Sequence, residues 1–123
     1  MHIQESGEMY LESIHVLLKK NGQVRSVDIS EYMGYSKPSV SRAVGLLKAG
    51  QYITINGDGH IELTDAGRDI AEKILVRHRV LAEMLINLGV DRQVASADAC
   101  KMEHVISDES FNAIVKHMQS HTK

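Results

Sequence analysis

The sequence is short of cysteine, proline and aromatic residues: 123 residues contain one cysteine, one proline and no tryptophan. A single cysteine cannot form a disulfide within the chain, so Cys100 acts as a thiol, as a metal ligand or across a dimer if it acts at all. Aromatic residues make up 4% of the chain, which argues against a surface that stacks nucleic-acid bases. The sequence therefore predicts neither an internal disulfide nor a stacking platform.

A large net charge and a long apolar run are also missing. The formal net charge is -2, and 24% charged with 43% hydrophobic residues is ordinary for a globular protein. No apolar run reaches the length that crosses a bilayer, and the N-terminal "MHIQESGEMYLES" is too polar for a secretory signal. We expect a cytoplasmic protein without a membrane partner, built as one compact domain or as a small domain with an appended helical piece.

Hydrophobic spacing and turn residues predict a mainly α fold. Helices are expected over residues 5–20, 27–33 with Ser26 as cap, and a third stretch between the cap Ser36 and Gly50. The alternating runs "YITI" and "HIEL", joined by "NGDG", predict a hairpin. A long helix capped by Thr64 then ends at Gly89, and two further helices are expected over residues 94–105 and 108–118. Helix, helix, turn, helix and hairpin follow in the order of a winged helix-turn-helix with a β-hairpin wing.

The third helix is the candidate DNA-reading segment. No acidic residue lies between residues 32 and 57, although the protein as a whole is nearly neutral. Backbone N–H groups and the helix dipole favour phosphate at the N-terminal end of this helix, and Arg42 is long enough to reach a guanine edge. The candidate DNA-binding residues are Ser36, Lys37, Pro38, Ser39 and Arg42. The alternative is the solvated side of an amphipathic helix, but the turn, the hairpin and the acid-free stretch together favour DNA binding.

The segment "ACKMEHVISDE" places three possible metal ligands together. On a helix, Cys100, Glu103 and His104 stand at i, i+3 and i+4 and share one face. Met9 and Glu12 also share a face on the first helix, and His78 in "VRHRVL" could serve a second ion. Each residue taken alone has an ordinary structural role, as core filling or as a solvated or packed polar side chain. The spacing therefore permits a metal site without requiring one.

Three other functions fit parts of this pattern. A thiol redox regulator would use Cys100 without the other ligands, and an architectural DNA-binding protein would need no metal. A small metallohydrolase would use Glu103 as a base, but the helical signature H-E-x-x-H is absent. We therefore expect no enzyme and no small-molecule substrate.

Four segments together identify a resemblance. In order they are "EMYLESI", "KPSVSRAVGLLKAGQYI", "LTDAGRDIAEKILVRHRVL" and "ACKMEHVISDE", and they resemble the diphtheria toxin repressor and manganese transport regulator family of metal-dependent repressors over residues 8–109. The resemblance implies a winged-helix DNA-binding domain over residues 1–70 and a helical metal-binding and dimerisation domain over 71–123. It also implies a homodimer on a palindromic operator. We further expect the chain to lack the additional C-terminal domain of many iron-responsive members.

The resemblance assigns the ligands. By position, Met9, Cys100, Glu103 and His104 look like the primary, activating site of the iron-responsive branch, while the manganese branch has carboxylates in place of the two sulfur ligands. Thioether and thiolate suit Fe(II), Co(II) or Ni(II) better than Mn(II), so the expected ion is Fe(II), with Mn(II) as the alternative.

A second, ancillary ion is implied at His78, shared by Glu12 and Glu103 as in the manganese branch. The iron branch has a glutamate one turn after this histidine and a further histidine before the cysteine. Here Ala82 and Ser96 occupy those two positions, and Glu83 is displaced by one. The resemblance thus allows two ions per subunit, the primary one being the better matched.

Overall fold

The computed structural model describes residues 5–121 of the chain and the side chains of 6–120. Within this part, helices and a small sheet follow in the order α1 Glu5–Asn21, α2 Ser26–Met33, α3 Lys37–Ala49, β1 Ile53–Ile55, β2 Ile61–Leu63, α4 Asp65–Asn87, α5 Arg92–Met102 and α6 Asp108–His121. The mainly α fold with an antiparallel hairpin is confirmed. The chain divides into two compact units after Lys73, within α4. No helix in residues 5–121 combines the length and apolar character needed to cross a membrane.

The first unit has a continuous apolar core. The helices α1, α2 and α3 and the hairpin each contribute side chains to it, because their apolar residues recur on one face. The buried members are Tyr10, Leu11, Ile14, Leu17, Val24, Ile29, Val40, Val44, Leu47, Tyr52, Ile53, Ile61 and Ala71. Removing these side chains from water is the main favourable contribution to folding of this unit, and it fixes α3 with its other face outward.

The ends of α2 and α3 create the turn between them. Gly34 ends α2 with φ of 75°, a left-handed conformation that glycine adopts without a steric penalty. Ser36 then caps α3, as predicted, because its side chain accepts a hydrogen bond from the N–H of Ser39. The prediction that Ser26 caps α2 is wrong. Arg25 is the residue before the helix, and its N–H donates to the Asp28 carboxylate at 2.9 Å, so that the helix begins at Ser26.

The hairpin is short and held by its own turn. Ile53 pairs with Leu63 and Ile55 with Ile61, in antiparallel register. Within the turn, the side-chain oxygen of Asn56 accepts hydrogen bonds from the N–H groups of Asp58 and His60, each at 2.9 Å. Such bonds from an asparagine to its following backbone stabilise a tight turn. The predicted wing is therefore present, with strands shorter than the alternating runs.

Thr64 connects the hairpin to α4, as the sequence predicts. Its Oγ1 accepts a hydrogen bond from the N–H of Gly67 at 3.2 Å and donates one to the carbonyl of Gln51 at 2.8 Å. Gly67 lies so close to the hairpin that an added Cβ would stand 2.1 Å from the carbonyl oxygen of Tyr52. Only a residue without a side chain fits there, so the start of α4 is packed directly on the backbone of the first unit.

The helices of the second unit differ from the prediction at their ends. Asp91 caps α5 by accepting from the N–H of Gln93 at 3.1 Å, so α5 starts at Arg92, earlier than the predicted residue 94. It ends at Met102, and residues 103–105 form a turn instead of continuing the helix. Ser107 accepts from the N–H of Ser110 at 3.1 Å and caps α6, as predicted, and α6 continues to His121, past the predicted residue 118.

Candidate metal centre and nucleic-acid interface

Glu103 is the centre of the candidate metal site in the second unit. It is fully buried, at 0% exposure, directly after the last residue of α5. Its Oε2 lies 3.1 Å from Nδ1 of His78 on α4, and its Oε1 lies 3.4 Å from Nε2 of His104. A carboxylate between two imidazoles is thus enclosed inside the protein, where an unbalanced charge would be costly.

The end of α5 places Glu103 and His104 differently from the prediction. Both were expected on a continuous helix, at i+3 and i+4 from Cys100. Glu103 keeps helical backbone angles, with φ of -61° and ψ of -26°, and its N–H donates to the carbonyl of Ala99. His104 instead lies in the turn beyond the helix, and its side chain is 1% exposed. The positions of these two candidate ligands therefore depend on the shape of this turn as well as on α5.

Cys100 and Ser96 lie on α5, on the approach to this turn. Cys100 is half-buried in the last turn of the helix. The hydroxyl of Ser96 lies 3.4 Å from Nε2 of His78, so the two ring nitrogens of His78 face a carboxylate and a hydroxyl. Ser96 occupies the position where the iron branch has a histidine. It therefore lies next to His78, the predicted ligand of the ancillary ion.

Met9 and Glu12 belong to the first unit. They lie three residues apart on α1, and both are half-buried. The carbonyl of Met9 accepts a hydrogen bond from the Ser13 hydroxyl at 2.9 Å. This bond lies within α1 and involves the backbone of Met9, not its thioether. The assignment of Met9 and Glu12 as metal ligands stays a prediction from the sequence.

The donor set around Glu103 fits a divalent transition metal. One carboxylate and two imidazoles are ligands that Fe, Mn, Co, Ni and Zn ions accept, and a thiolate from Cys100 would add a softer donor. The carboxylate and both imidazoles already face one another within the second unit, at hydrogen-bond or near hydrogen-bond distance. Such a buried, mixed set is chemically suited to a cation, because the cation would balance the charge of Glu103.

Sequence reasoning missed Arg77, the residue before His78. It is a buried arginine with 6% exposure, and it donates to the carbonyls of Glu103 and Ile106 at 3.1 and 2.8 Å. Its signal in the sequence is weak, since an arginine within "VRHRVL" is typical of an exposed helix face. Only its buried position and its contacts with residues far along the chain reveal it.

The exposed face of α3 is the candidate nucleic-acid interface. Lys37, Pro38, Ser39 and Arg42 are all exposed, and Ser36 caps the same end of the helix. An open groove of about 530 Å³ runs beside this face and is lined by Ser36, Ser39, Arg42 and Leu46 together with Tyr10 and Tyr35. The five predicted DNA-binding residues therefore lie together at the N-terminal end of one helix, whose N–H groups favour phosphate.

Leu46 is a second residue that the sequence reasoning missed. It lies one turn after Arg42 on the same outward side of α3, and it is 70% exposed. On this helix Val40, Val44 and Leu47 form the buried side. A large exposed aliphatic side chain beside an arginine is suited to contact with a thymine methyl group in a major groove.

Comparison with known protein families agrees with both parts of this description. Residues 2–61 match the sequence model described as the iron dependent repressor N-terminal DNA binding domain. Residues 64–123 match the one described as the iron dependent repressor metal binding and dimerisation domain. The candidate nucleic-acid interface lies in the first match, and His78, Cys100, Glu103 and His104 lie in the second.

Individual relatives include an iron-dependent repressor and a transcriptional regulator. The chain is 30% identical over 119 residues to the iron-dependent repressor IdeR of Mycobacterium tuberculosis, covering 96% of this chain and 52% of that protein. It is 31% identical over 120 residues to the transcriptional regulator MntR of Salmonella typhimurium, covering 98% of this chain and 76% of that protein. The chain thus spans about half the length of the curated iron-dependent repressors that it matches.

A solved structure supports the same grouping. The structure of a manganese-dependent transcriptional repressor in complex with manganese matches with a TM-score of 0.84 and 26% identity, over 92% of this chain and 52% of that chain. Both sequence models, the relatives and this fold point to the same family. The chain belongs to the diphtheria toxin repressor and manganese transport regulator family, whose members are metal-dependent, DNA-binding transcriptional repressors and not enzymes.

Proposed function

We propose that this chain is an Fe(II)-favoured repressor that controls metal homeostasis, and that metal bound beside Glu103 activates operator binding by a dimer. One observation carries the proposal: the buried Glu103 carboxylate lies between Nδ1 of His78 at 3.1 Å and Nε2 of His104 at 3.4 Å. A fully buried carboxylate with two imidazoles beside it is a set of donors that suits a bound divalent cation.

The proposed primary ligands are Met9, Cys100, Glu103 and His104, with Glu12 contributing from α1. When bound, a divalent ion would supply positive charge next to the carboxylates of Glu12 and Glu103 and the thiolate of Cys100. Without it, the carboxylates of Glu12 and Glu103 and an ionised Cys100 would repel one another wherever they approach. We therefore propose that metal removes this repulsion, links α1 to the turn that carries Glu103 and His104, and so orders the protein for DNA binding.

Iron is favoured over manganese because of the two sulfur ligands. A thioether from Met9 and a thiolate from Cys100 are softer than carboxylates, and soft ligands select against Mn(II). Mn(II) is the second candidate, since a fold neighbour at 26% identity is a manganese-dependent repressor in complex with manganese. Co(II) and Ni(II) would bind the same donors and are useful probes. A second ion, at His78 with Glu12 and Glu103, is proposed for the ancillary site.

The proposed DNA target is a palindromic operator. The protein is proposed to act in the cytoplasm. In a homodimer two copies of α3 are related by a two-fold axis, and a two-fold protein matches an inverted repeat whose half-sites lie on successive major grooves. Ser36, Lys37 and Ser39 would contact phosphate, Pro38 would pack beside them, and Arg42 would read a base edge. By linkage, operator DNA should tighten metal binding by the same factor that metal tightens DNA binding.

The test begins by finding the DNA that the protein prefers. A pool of random duplexes is selected on the wild-type protein without oxygen in the presence of Fe(II), and separately with Mn(II). The recovered sequence is then titrated with protein containing Fe(II), with protein after exhaustive chelation, and with chelated protein to which Fe(II) is returned. We expect the selection to recover an inverted repeat. The affinity of the protein for this repeat should fall on chelation and recover when Fe(II) is returned.

Two outcomes would favour the rival functions. Unchanged affinity after chelation would indicate a metal-independent DNA-binding protein. A peroxide response that survives in Glu103→Ala and His104→Ala variants, but not in Cys100→Ala, would indicate a thiol redox regulator. The matched control is Asp98→Ala, which removes an exposed carboxylate from α5 and should leave the metal response intact.

A further inference from the structure

Arg77 makes an unusual set of contacts for a side chain in the middle of a helix. It is buried on α4 at 6% exposure, beside His78 in sequence. One terminal nitrogen, Nη1, donates to the carbonyl of Glu103 at 3.1 Å and to that of Ile106 at 2.8 Å. The other, Nη2, donates to the Asp108 carboxylate. One guanidinium therefore holds both sides of the turn between α5 and α6.

The same guanidinium also packs on α6. Its central carbon, Cζ, lies 5.5 Å from the centroid of the Phe111 ring, within the range of a cation–π interaction. The contacts are specific to arginine, because a planar fork can donate to several acceptors in fixed directions while a lysine ammonium presents a single point charge. Few other side chains could reach two carbonyls, a carboxylate and an aromatic face at once.

The turn that Arg77 holds carries two of the proposed metal ligands. The carbonyl that Nη1 binds belongs to Glu103 itself, and His104 follows in the same turn. Since His104 lies beyond the end of α5, helix geometry alone does not fix its direction. Hydrogen bonds to the backbone on both sides of it do so, in the way that groups behind a metal ligand commonly orient that ligand.

We propose that Arg77 is a positioning residue, which presets the turn carrying Glu103 and His104 and joins it to the first turn of α6. The proposal rests on the proposed function, because it assigns those two residues to a metal. It also connects metal binding to the position of α6. A change in the turn on metal binding would alter the contacts of Arg77 with Asp108 and Phe111 on α6. Arg77 itself would touch no metal.

The experiment uses the full chain, three test variants and two control variants. Arg77→Lys keeps the charge but loses the fork, and Arg77→Met keeps most of the apolar stem. Asp108→Ala removes the carboxylate contact to α6 and leaves the contact with the Phe111 ring. The matched controls are Arg92→Ala, an exposed arginine of the same unit, and Glu109→Ala, the neighbouring acidic residue in the first turn of α6.

Two measurements are made on each variant, with helix content by circular dichroism as the check on folding. The first is anaerobic titration with Co(II), followed by the absorption that a Co(II)–thiolate bond produces. The second is amide hydrogen exchange of residues 103–108 in the protein without metal. For both Arg77 variants we expect Co(II) affinity to fall about 10- to 100-fold and the turn to exchange faster, at unchanged helix content. Asp108→Ala should lose less affinity, and the controls should match the wild type.

The outcomes separate this proposal from the proposed function. Wild-type affinity and unchanged exchange in both Arg77 variants would overturn the positioning role while leaving the metal site in place. If the wild type binds no Co(II), the proposed function falls, and the exchange measurement still decides whether Arg77 presets the turn. Should Arg77→Met fail to fold, Arg77→Lys and Asp108→Ala carry the comparison, since each retains part of the network.

Discussion

Oε2 of Glu103 lies 3.1 Å from Nδ1 of His78, although the two residues are 25 positions apart and belong to different elements of the second unit. His78 is on α4, and Glu103 follows α5. The carboxylate is fully buried, whereas the histidine side chain is 31% exposed. Their contact places a carboxylate in the interior beside a partly exposed imidazole, and these two groups could bind the same cation.

The ligand at position 100 should set the choice of metal. Replacing the thiolate by a carboxylate in Cys100→Asp removes one soft donor, so the ratio of Mn(II) to Fe(II) affinity should rise by about tenfold, or ~1.4 kcal/mol. Anaerobic competition titrations of the two ions measure this ratio. Cys100→Ser, which adds no charge, is the comparison. An unchanged ratio in Cys100→Asp would mean that the thiol does not bind the metal.

Arg42 should contribute to DNA sequence preference. Its exposed position on α3 suits a bidentate contact with guanine, and losing such a contact costs ~1–3 kcal/mol. We expect Arg42→Ala to weaken binding to the selected DNA by that amount and to relax the preference at one base pair of each half-site. Lys116→Ala, an exposed cation on α6, serves as the control for general charge loss. Equal losses in the two variants would argue against base reading by Arg42.

Gly67 should tolerate no side chain. A Cβ there would stand 2.1 Å from the carbonyl oxygen of Tyr52, so Gly67→Ala must displace backbone and should destabilise the fold by ~1–3 kcal/mol. Gly45 lies within α3, and apart from its chain neighbours and the nearby backbone of its own helix no atom lies within 4 Å of an added Cβ. The matched Gly45→Ala should instead stabilise by about 0.5–1 kcal/mol, because alanine has the higher helix propensity. Urea unfolding measures both, and opposite signs are the expected result.

Tyr10 should make stability depend on alkaline pH. Burial raises the pKa of Tyr10, and the neighbouring Tyr35 raises it further. The folded state therefore holds the phenolic proton at a pH where the unfolded state has released it, so the contribution is fully present below pH ~10 and is lost as pH rises above that value. Unfolding free energy measured against pH should fall more steeply in the wild type than in Tyr10→Phe. Identical slopes would contradict the assignment.

Local signals predicted the first unit well. Ser36, Thr64 and Gly34 act through bonds or backbone angles within a few residues, so their roles follow from the sequence nearby. Ser26 was misassigned because Asp28 competes for the same helix end through the N–H of Arg25. The buried side of α3 was predicted from spacing alone, which also left its outward side, with Arg42, facing away from the core.

The candidate site was predicted less completely because its contacts are distant in sequence. Periodicity placed Cys100 and Glu103 one turn apart, but it extended α5 past Met102 and so put His104 on the helix. What bends the chain there includes hydrogen bonds from Arg77, 26 and 29 residues away. Hydrophobic spacing within one helix does not indicate hydrogen bonds to residues so far away in the sequence. The same limit applies to the pairing of His78 with Glu103, which no local spacing predicts.

The most direct measurement is equilibrium Fe(II) binding without oxygen, compared between wild type, Glu103→Ala and Asp98→Ala, with affinity for the selected DNA measured on the same samples. If metal beside Glu103 activates the protein, Glu103→Ala should lose tight Fe(II) binding and show the same weak DNA affinity with and without the ion. Asp98→Ala should behave as the wild type does. Tight, Fe(II)-dependent DNA binding retained in Glu103→Ala would contradict the proposed site.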